Sequence, residues 1–389
     1  MRILMVVPYY LPYVSGVTIY AKRVAEGLAK RGHEVKILTI MHKKKLKTKD
    51  VLNGVEVIRS LPLMKISRGT ISLDIFFKFI KLVKGSDIVN IHLPFPDGSV
   101  LSFLSKCYNK KLLITYHCDL NVFGSIIHKF IQFVYISSAK IAAKISDKIV
   151  LNSIDYGKKS KIKKFYRKMI GIYPPIDDYR FKRVNFGDNK FVKKYKIKKN
   201  DKVIGFLGRL VTEKGLNDLI YAFEEVKEEF PDSKLFLAGE GENIAGGKKE
   251  STKIHLQKTI KKFGLKKSVY FTGFLEDSIV PDFLSACNVF TLPSMNPLES
   301  FGMVQVEALL CGTPVVSTDL PGVRDVVRLT HGGITVPQKN KEKLASAIKA
   351  ILENPKKYNV SREDILKFFS MKKTLDDYES LMKNLLEKI

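Results

Sequence analysis

The sequence predicts an α/β protein built from two tandem, Rossmann-like doubly wound parallel-sheet domains, and three observations carry that expectation. Short apolar, β-prone runs alternate with stretches whose apolar residues recur at helical spacing. The alternation stops in a polar tract near residues 175–200, entered through Tyr173-Pro174-Pro175, and then starts again. The chain has 389 residues, a length that suits two domains.

In the first half, residues 3–7, 35–40, 88–92, 112–116 and 148–152 read as strands, with an amphipathic helix at 17–31 that stops at Gly32. In the second half, 203–207, 234–238, 269–272, 289–292 and 314–317 read as strands, separated by helices at 216–229, 280–286, 303–310 and 341–352. Strand–helix–strand alternation with buried runs implies parallel sheets covered on both faces. Ligands of such sheets sit beyond the carboxyl ends of the strands, and two facing domains would form a cleft.

Composition narrows the class. With 45% hydrophobic and 10% aromatic residues, the chain can build packed cores and is neither disordered nor collagen-like. Cys107, Cys118, Cys287 and Cys311 show no C-x-x-C spacing, which points to free thiols in a reducing compartment. The apolar run at 122–143 is interrupted by His128, Lys129 and Lys140, so it does not read as a membrane span. The opening apolar run ends at Pro8 and suits a first strand better than an export signal. The expected location is the cytoplasm, with peripheral attachment to the inner face of the membrane.

The charge is uneven. Residues 1–180 carry 32 Lys+Arg against 12 Asp+Glu, whereas the whole chain has 67 against 39 and a net charge of +28. Concentration in one half suggests that this half faces something anionic, such as phospholipid headgroups, nucleic acid or a phosphorylated substrate. Residues 64–84, which mix Ile71, Leu73, Phe76, Phe77 and Phe79 with Lys78, Lys81 and Lys84, read as a basic, aromatic-rich helix suited to a bilayer interface or to a core.

The loops at strand ends hold the chemistry. Ser15-Gly16 precedes the first helix, where Gly16 would admit an anion close to the backbone. Gly239-Glu240-Gly241 lacks the third glycine of a dinucleotide fingerprint, Ile244 standing in its place. No Walker-type phosphate loop, Asp-x-Asp pair or zinc spacing occurs, so no cofactor and no metal is expected. Gly208-Arg209-x4-Lys214-Gly215 places two cations on a strand-end loop, a pattern suited to a diphosphate. Glu299 stands before a helix and Glu307 within it, following Pro293-Ser294, with Phe301-Gly302 between them. His117 and Asp119 follow one first-half strand and His92 ends another, which makes His117 a candidate donor to a sugar hydroxyl and His92 and Asp119 candidates for an acceptor pocket.

Together these segments resemble a large retaining glycosyltransferase family of GT-B architecture, glycosyltransferase family 4, with its glycogen-synthase-like and lipid mannosyltransferase-like members. The resemblance rests on Pro-Ser-x4-Glu-Ser-Phe-Gly-x4-Glu-Ala-x3-Gly-x-Pro-Val-Val from Pro293, on the Gly208–Gly215 loop, on Phe271-Thr272-Gly273-Phe274 and on Arg31-Gly32-His33-Glu34-Val35. It implies an acceptor domain at 1–175, completed by a returning helix at 370–389, and a donor domain at 176–369. It further implies that Arg209 and Lys214 neutralise a nucleotide diphosphate and that Glu307 holds the ribose. Glu299 would hold the transferred sugar, contacted also by His117, while the backbone of Phe301, Gly302, Met303 and Val304 touches sugar and phosphate. Phe274 would lie near the base, and Gly16 near the phosphates. Ser15 replaces a second glycine common in the family's first loop.

The expected activity is metal-independent, retaining transfer of mannose or another hexose from a GDP-, UDP- or ADP-linked donor to a lipid-linked, glycolipid or saccharide acceptor. GDP-mannose leads, because Pro-Pro-Ile-Asp and Tyr-His-Cys-Asp resemble mannosyltransferase members. The resemblance implies same-face attack with the leaving phosphate helping to deprotonate the acceptor, and no protein nucleophile. A sugar-nucleotide epimerase of the same architecture and a basic nucleic-acid-binding protein are the rival classes. The second has no recognisable signature here, and no nucleic-acid partner is expected.

Overall fold

The computed structural model describes residues 1–66, 69–120, 126–241 and 252–387, so Ile244 and the start of the apolar run at 122–143 lie outside the described residues. The chain divides into two units: Met1–Pro175 with Phe369–Ile389, and Ile176–Phe368.

The first unit runs β1 (Arg2–Val7), α1 (Gly16–Lys30), β2 (Glu34–Ile40), β3 (Lys49–Leu52), β4 (Val55–Ser60), β5 (Met64–Ile66), β6 (Gly69–Ile71), α2 (Asp74–Lys84), β7 (Ile88–Leu93), α3 (Gly98–Cys107), β8 (Lys111–Tyr116), α4 (Ile126–Ile145), β9 (Lys148–Leu151), α5 (Ile154–Lys159) and β10 (Met169–Gly171). Its main sheet has the order β10-β9-β8-β7-β1-β2-β4-β3. Every pairing in it is parallel except the β3/β4 hairpin. Successive side chains of β1 serve opposite faces: Leu4 and Val6 join a core with α2, α3 and α4, whereas Ile3, Met5 and Val7 join one with α1 and the C-terminal helix Met371–Glu387. That double burial is why this strand is an unbroken apolar run. Tyr378 and Met382 of the C-terminal helix are fully buried in the second of those cores, and Thr374 Oγ1 donates to the Tyr173 carbonyl at 2.9 Å.

One expectation is corrected. Residues 64–84 are not a single helix, because β5 and β6 pair antiparallel with Met64 opposite Ile71, and only Asp74–Lys84 is helical. The break is built by Ser72 Oγ donating to the Leu61 carbonyl at 2.6 Å and by the Asp74 carboxylate accepting from the Leu61 N–H at 2.8 Å. Ile75, Phe79 and Val83 of the remaining helix face the core.

The second unit runs α6 (Lys190–Tyr195), β11 (Lys202–Leu207), α7 (Leu216–Glu229), β12 (Ser233–Ala238), α8 (Thr252–Lys262), β13 (Val269–Gly273), α9 (Val280–Ala286), β14 (Val289–Leu292), α10 (Met303–Leu310), β15 (Val315–Thr318), α11 (Arg324–Thr330), β16 (Gly333–Val336) and α12 (Lys341–Glu353). Its six strands are all parallel, in the order β13-β12-β11-β14-β15-β16. The chain leaves β11 in one direction and returns at β14 to build the other half, so the strand order switches between these two central strands. In open α/β sheets the loops beyond the carboxyl ends of such strands frame the crevice where ligands bind. In the first unit the corresponding switch lies between β1 and β7. Among the described residues no helix is long and apolar enough to cross a membrane.

Candidate active site

In the second unit, the β11–α7 loop carries Arg209 and Lys214, and the β14–α10 loop carries Glu299. The two loops flank the switch point and are tied together. The Met295 N–H donates to the Glu213 carbonyl at 2.9 Å. Gly215, at φ +68°, lies so close to the second loop that an added Cβ would sit 2.0 Å from the Pro293 carbonyl oxygen. A side chain there would therefore pry the loops apart, and glycine is also the residue that tolerates this φ. Across the junction Lys214 Nζ forms an ion pair with the Glu299 carboxylate, both side chains being less than one-fifth exposed. Arg209, half exposed, lies 3.6 Å from Glu213 at the same loop.

Helix α10 starts behind Glu299. Gly302, at φ +76°, is its N-cap, and Phe301 is buried. The first-turn N–H groups of Met303 and Val304 have no carbonyl one turn earlier to bond within the helix. They provide donors for an anion at the crevice. Gln305 fixes this turn: its buried Nε2 donates to the Phe301 carbonyl at 2.9 Å and to the Val323 carbonyl at 3.1 Å. Glu307 lies one turn further along the same helix and is partly exposed. Phe274, just past β13, is 63% exposed. Lys214 and Glu299 are thus brought into contact. Arg209, Gly302, Met303, Val304 and Glu307 lie on the two loops and the helix that frame the same crevice, while Phe274 belongs to a strand two places away from the switch.

In the first unit, His92 ends β7 and His117 follows β8, on adjacent parallel strands. His92 Nδ1 lies 2.9 Å from His117 Nε2, and the ring centroids are 5.1 Å apart with planes 29° from parallel. Burial pushes His117 down to about 3, and burial first, then its histidine neighbour, holds His92 well below the usual imidazole range. Both are neutral at pH 7. His92 has no exposed surface, so it reaches a ligand only through His117. Asp119 is also turned inward: its carboxylate accepts from the Tyr116 hydroxyl and from the Lys161 N–H at 3.0 Å. His92 and Asp119, the candidates for an acceptor pocket, thus have internal hydrogen-bond partners. Gly16 is exposed at the first residue of α1, with open space where a Cβ would stand. Ser15 caps that helix, its Oγ accepting from the Thr18 N–H at 3.2 Å, which accounts for serine in a position where glycine was expected.

Two family descriptions match the chain in turn: Glycosyltransferase Family 4 over residues 14–177 and Glycosyl transferases group 1 over residues 188–367. The chain is a GT-B glycosyltransferase of the family 4 type. An uncharacterized glycosyltransferase of Methanocaldococcus jannaschii is 26% identical over 380 residues, covering 91% of this chain and 90% of its own. The alpha-monoglucosyldiacylglycerol synthase of Acholeplasma laidlawii is 27% identical over 329 residues, covering 79% and 77%. Sucrose-phosphate synthase from Thermosynechococcus elongatus has the same fold, with a TM-score of 0.81 at 20% identity and full coverage of both chains.

In this glycosyltransferase, residues that sequence reasoning passed over support those it selected. Gln305 was visible only as a lone polar residue in the apolar stretch Met303-Val304-Gln305-Val306. Asp97, after β7, is pushed up to about 6 by burial, and one of its carboxylate oxygens has no partner.

These shifts have opposite consequences with pH. In the unfolded chain the two histidines take up protons near pH 6.5, while the folded protein refuses them, so stability falls as pH drops below that value. The limit is about 1.4 kcal/mol per pH unit for each histidine. Asp97 binds its proton more tightly when folded, so its contribution is lost as pH rises from about 4 to about 6. Thermal unfolding of the wild type should therefore show a melting temperature that declines from pH 7.5 to pH 5. His92→Phe should flatten that decline, and Asp97→Asn should raise the melting temperature at pH 8 more than at pH 4.

Proposed function

We propose that this glycosyltransferase transfers mannose or another hexose from a nucleotide diphosphate to a lipid-linked, glycolipid or saccharide acceptor, with retention of anomeric configuration. The observation that carries the reading is the Lys214–Glu299 pair at the switch point of the second unit, with Arg209 and the start of α10 beside it.

A donor sugar nucleotide presents a diphosphate dianion next to a polyol, and the pair offers a cation next to a carboxylate. On binding, Lys214 and Arg209 turn to the phosphates with the N–H groups of Met303 and Val304, and Glu299 exchanges the ammonium for sugar hydroxyls. Glu307 holds the ribose. As the anomeric C–O bond lengthens, negative charge accumulates on the leaving diphosphate, where these fixed donors lower the barrier. The leaving phosphate oxygen accepts the acceptor's proton on the same face of the sugar, which preserves the configuration. In this reading His117 meets the transferred sugar, and Gly16 lets the phosphates approach α1.

Arg209→Ala and Lys214→Ala should each slow acceptor-dependent transfer by roughly 10²-fold or more, Arg209→Ala with a melting temperature close to wild type and Lys214→Ala with a lower one, because it strands Glu299. Near-normal rates in both would overturn the assignment. Among UDP-, GDP- and ADP-sugars the true donor should raise the melting point most. Turnover of a sugar nucleotide without any acceptor would instead favour an epimerase.

The lipid acceptor is favoured by the surface of α4. Ile126 is 85% exposed, Phe130 64% and Phe133 67%, with Ile127 and Ile141 also exposed and Lys129, Lys140 and Lys144 among them. Only Ser138, Ala139, Ala142 and Ala143 of this helix are buried. A helix that turns its aromatics outward and carries lysines between them suits an anionic bilayer, and the strongly basic first half supplies the attraction. The similar diacylglycerol-modifying synthase points the same way. The protein should co-sediment with vesicles containing anionic lipid and far less with neutral ones, and Phe130→Glu with Phe133→Glu should remove the binding. Indifference to lipid charge would contradict this docking.

A further inference from the structure

We propose that Asn90 and His92 are positioning residues that hold the proton of His117 on Nδ1, so that His117 meets the transferred sugar as a hydrogen-bond donor. The inference deepens the reading above that His117 faces the sugar, and rests on it.

A continuous series of buried polar groups runs under the carboxyl ends of β7 and β8. The hydroxyls of Tyr20 and Tyr378 are 2.8 Å apart, and Tyr378 OH is 3.0 Å from Thr115 Oγ1. Thr115 Oγ1 donates to Asn90 Oδ1 at 2.9 Å, and Asn90 Nδ2 lies 3.3 Å from His92 Nε2. His92 Nδ1 then lies 2.9 Å from His117 Nε2. None of these side chains is more than 4% exposed.

The chemistry of each group sets the direction of the next bond. An amide nitrogen can only donate, so His92 Nε2 accepts. A neutral imidazole that accepts at one nitrogen carries its proton on the other, so His92 donates from Nδ1. His117 Nε2 must accept that bond, which leaves the His117 proton on Nδ1, the nitrogen that the series does not use. The ring of His117 is held in place: Nε2 is tied to His92 Nδ1, and Tyr20 stands edge-on to it with centroids 4.8 Å apart and planes at 85°. The backbone is held as well, the His117 N–H donating to the Leu93 carbonyl at 2.9 Å.

A purely structural polar network would need satisfied bonds but no particular polarity. Polarity matters here because a donor and an acceptor at Nδ1 select different partners on a sugar. The substitution that separates the two roles is Asn90→Leu, which keeps a side chain of similar size but withdraws the amide donor from His92 Nε2. The His92 proton, and with it that of His117, is then no longer confined to one nitrogen.

The test is 15N NMR of the imidazole nitrogens in the full-length protein at neutral pH, without ligand. The wild type should show a protonated Nδ1 and a bare Nε2 at His117. Asn90→Leu and His92→Phe should each let both forms appear. With the donor present, Asn90→Leu should lower kcat severalfold while the donor KM stays near wild type. A wild-type His117 protonated at Nε2, or a single tautomer that persists in Asn90→Leu, overturns the inference. Mixed tautomers with unaltered transfer, alongside a fully active His117→Ala, overturn instead the placing of His117 against the sugar.

Discussion

The ion pair between Lys214 and Glu299 is the interaction on which the proposed chemistry of this chain turns. Its partners are 85 positions apart in sequence, and they meet because β11 and β14 are neighbours at the centre of a parallel sheet. The meeting is close because Gly215 allows the first loop to rest against the Pro293 carbonyl. Two half-buried charges are costly apart and tolerable together. The pair therefore ties the two loops together. In the proposed reading a sugar diphosphate offers each charge another partner, phosphate for the ammonium and hydroxyls for the carboxylate.

The first unit has the same sheet plan and uses its strand ends differently. There the polar groups are withdrawn into the fold and passed from strand to strand, with Tyr378 of the returning C-terminal helix contributing to the series. The C-terminal helix thus does more than complete an apolar core. It brings a hydroxyl against Thr115 and Tyr20. In the second unit charge is displayed at the crevice, and in the first unit a single imidazole stands at the end of a buried line. The exposed aromatic face of α4 belongs to neither arrangement.

Much of this was legible in the amino-acid sequence where burial is symmetric. Strands such as β1, β7 and β14 are buried almost from end to end because both faces of a parallel sheet are covered, so their mostly apolar residues stand out as runs. The polar edge hairpin of β3 and β4 carries no such signal, since Lys49 and Val51 face solvent. Residues 64–84 misled because their mixture of aromatics and lysines fits a helix, while the break at Ser72 depends on side-chain bonds to Leu61 that spacing does not reveal. The candidate donor site was visible through its resemblance to a family, residue by residue. Gln305, Asn90 and Thr115 were not, because a buried polar residue in an apolar stretch gives no sign of its partner. His92 and Asp119 were noticed for being at strand ends, and only coordinates show that both are spent on internal bonds.

A crystal structure with a nucleotide-diphosphate sugar bound tests the central claim most directly. The account requires the diphosphate beyond β11 and β14, within hydrogen-bond distance of Lys214, Arg209 and the first-turn N–H groups of α10, with Glu299 released from Lys214 and turned to the sugar. A diphosphate bound elsewhere, with the Lys214–Glu299 pair intact, would contradict it.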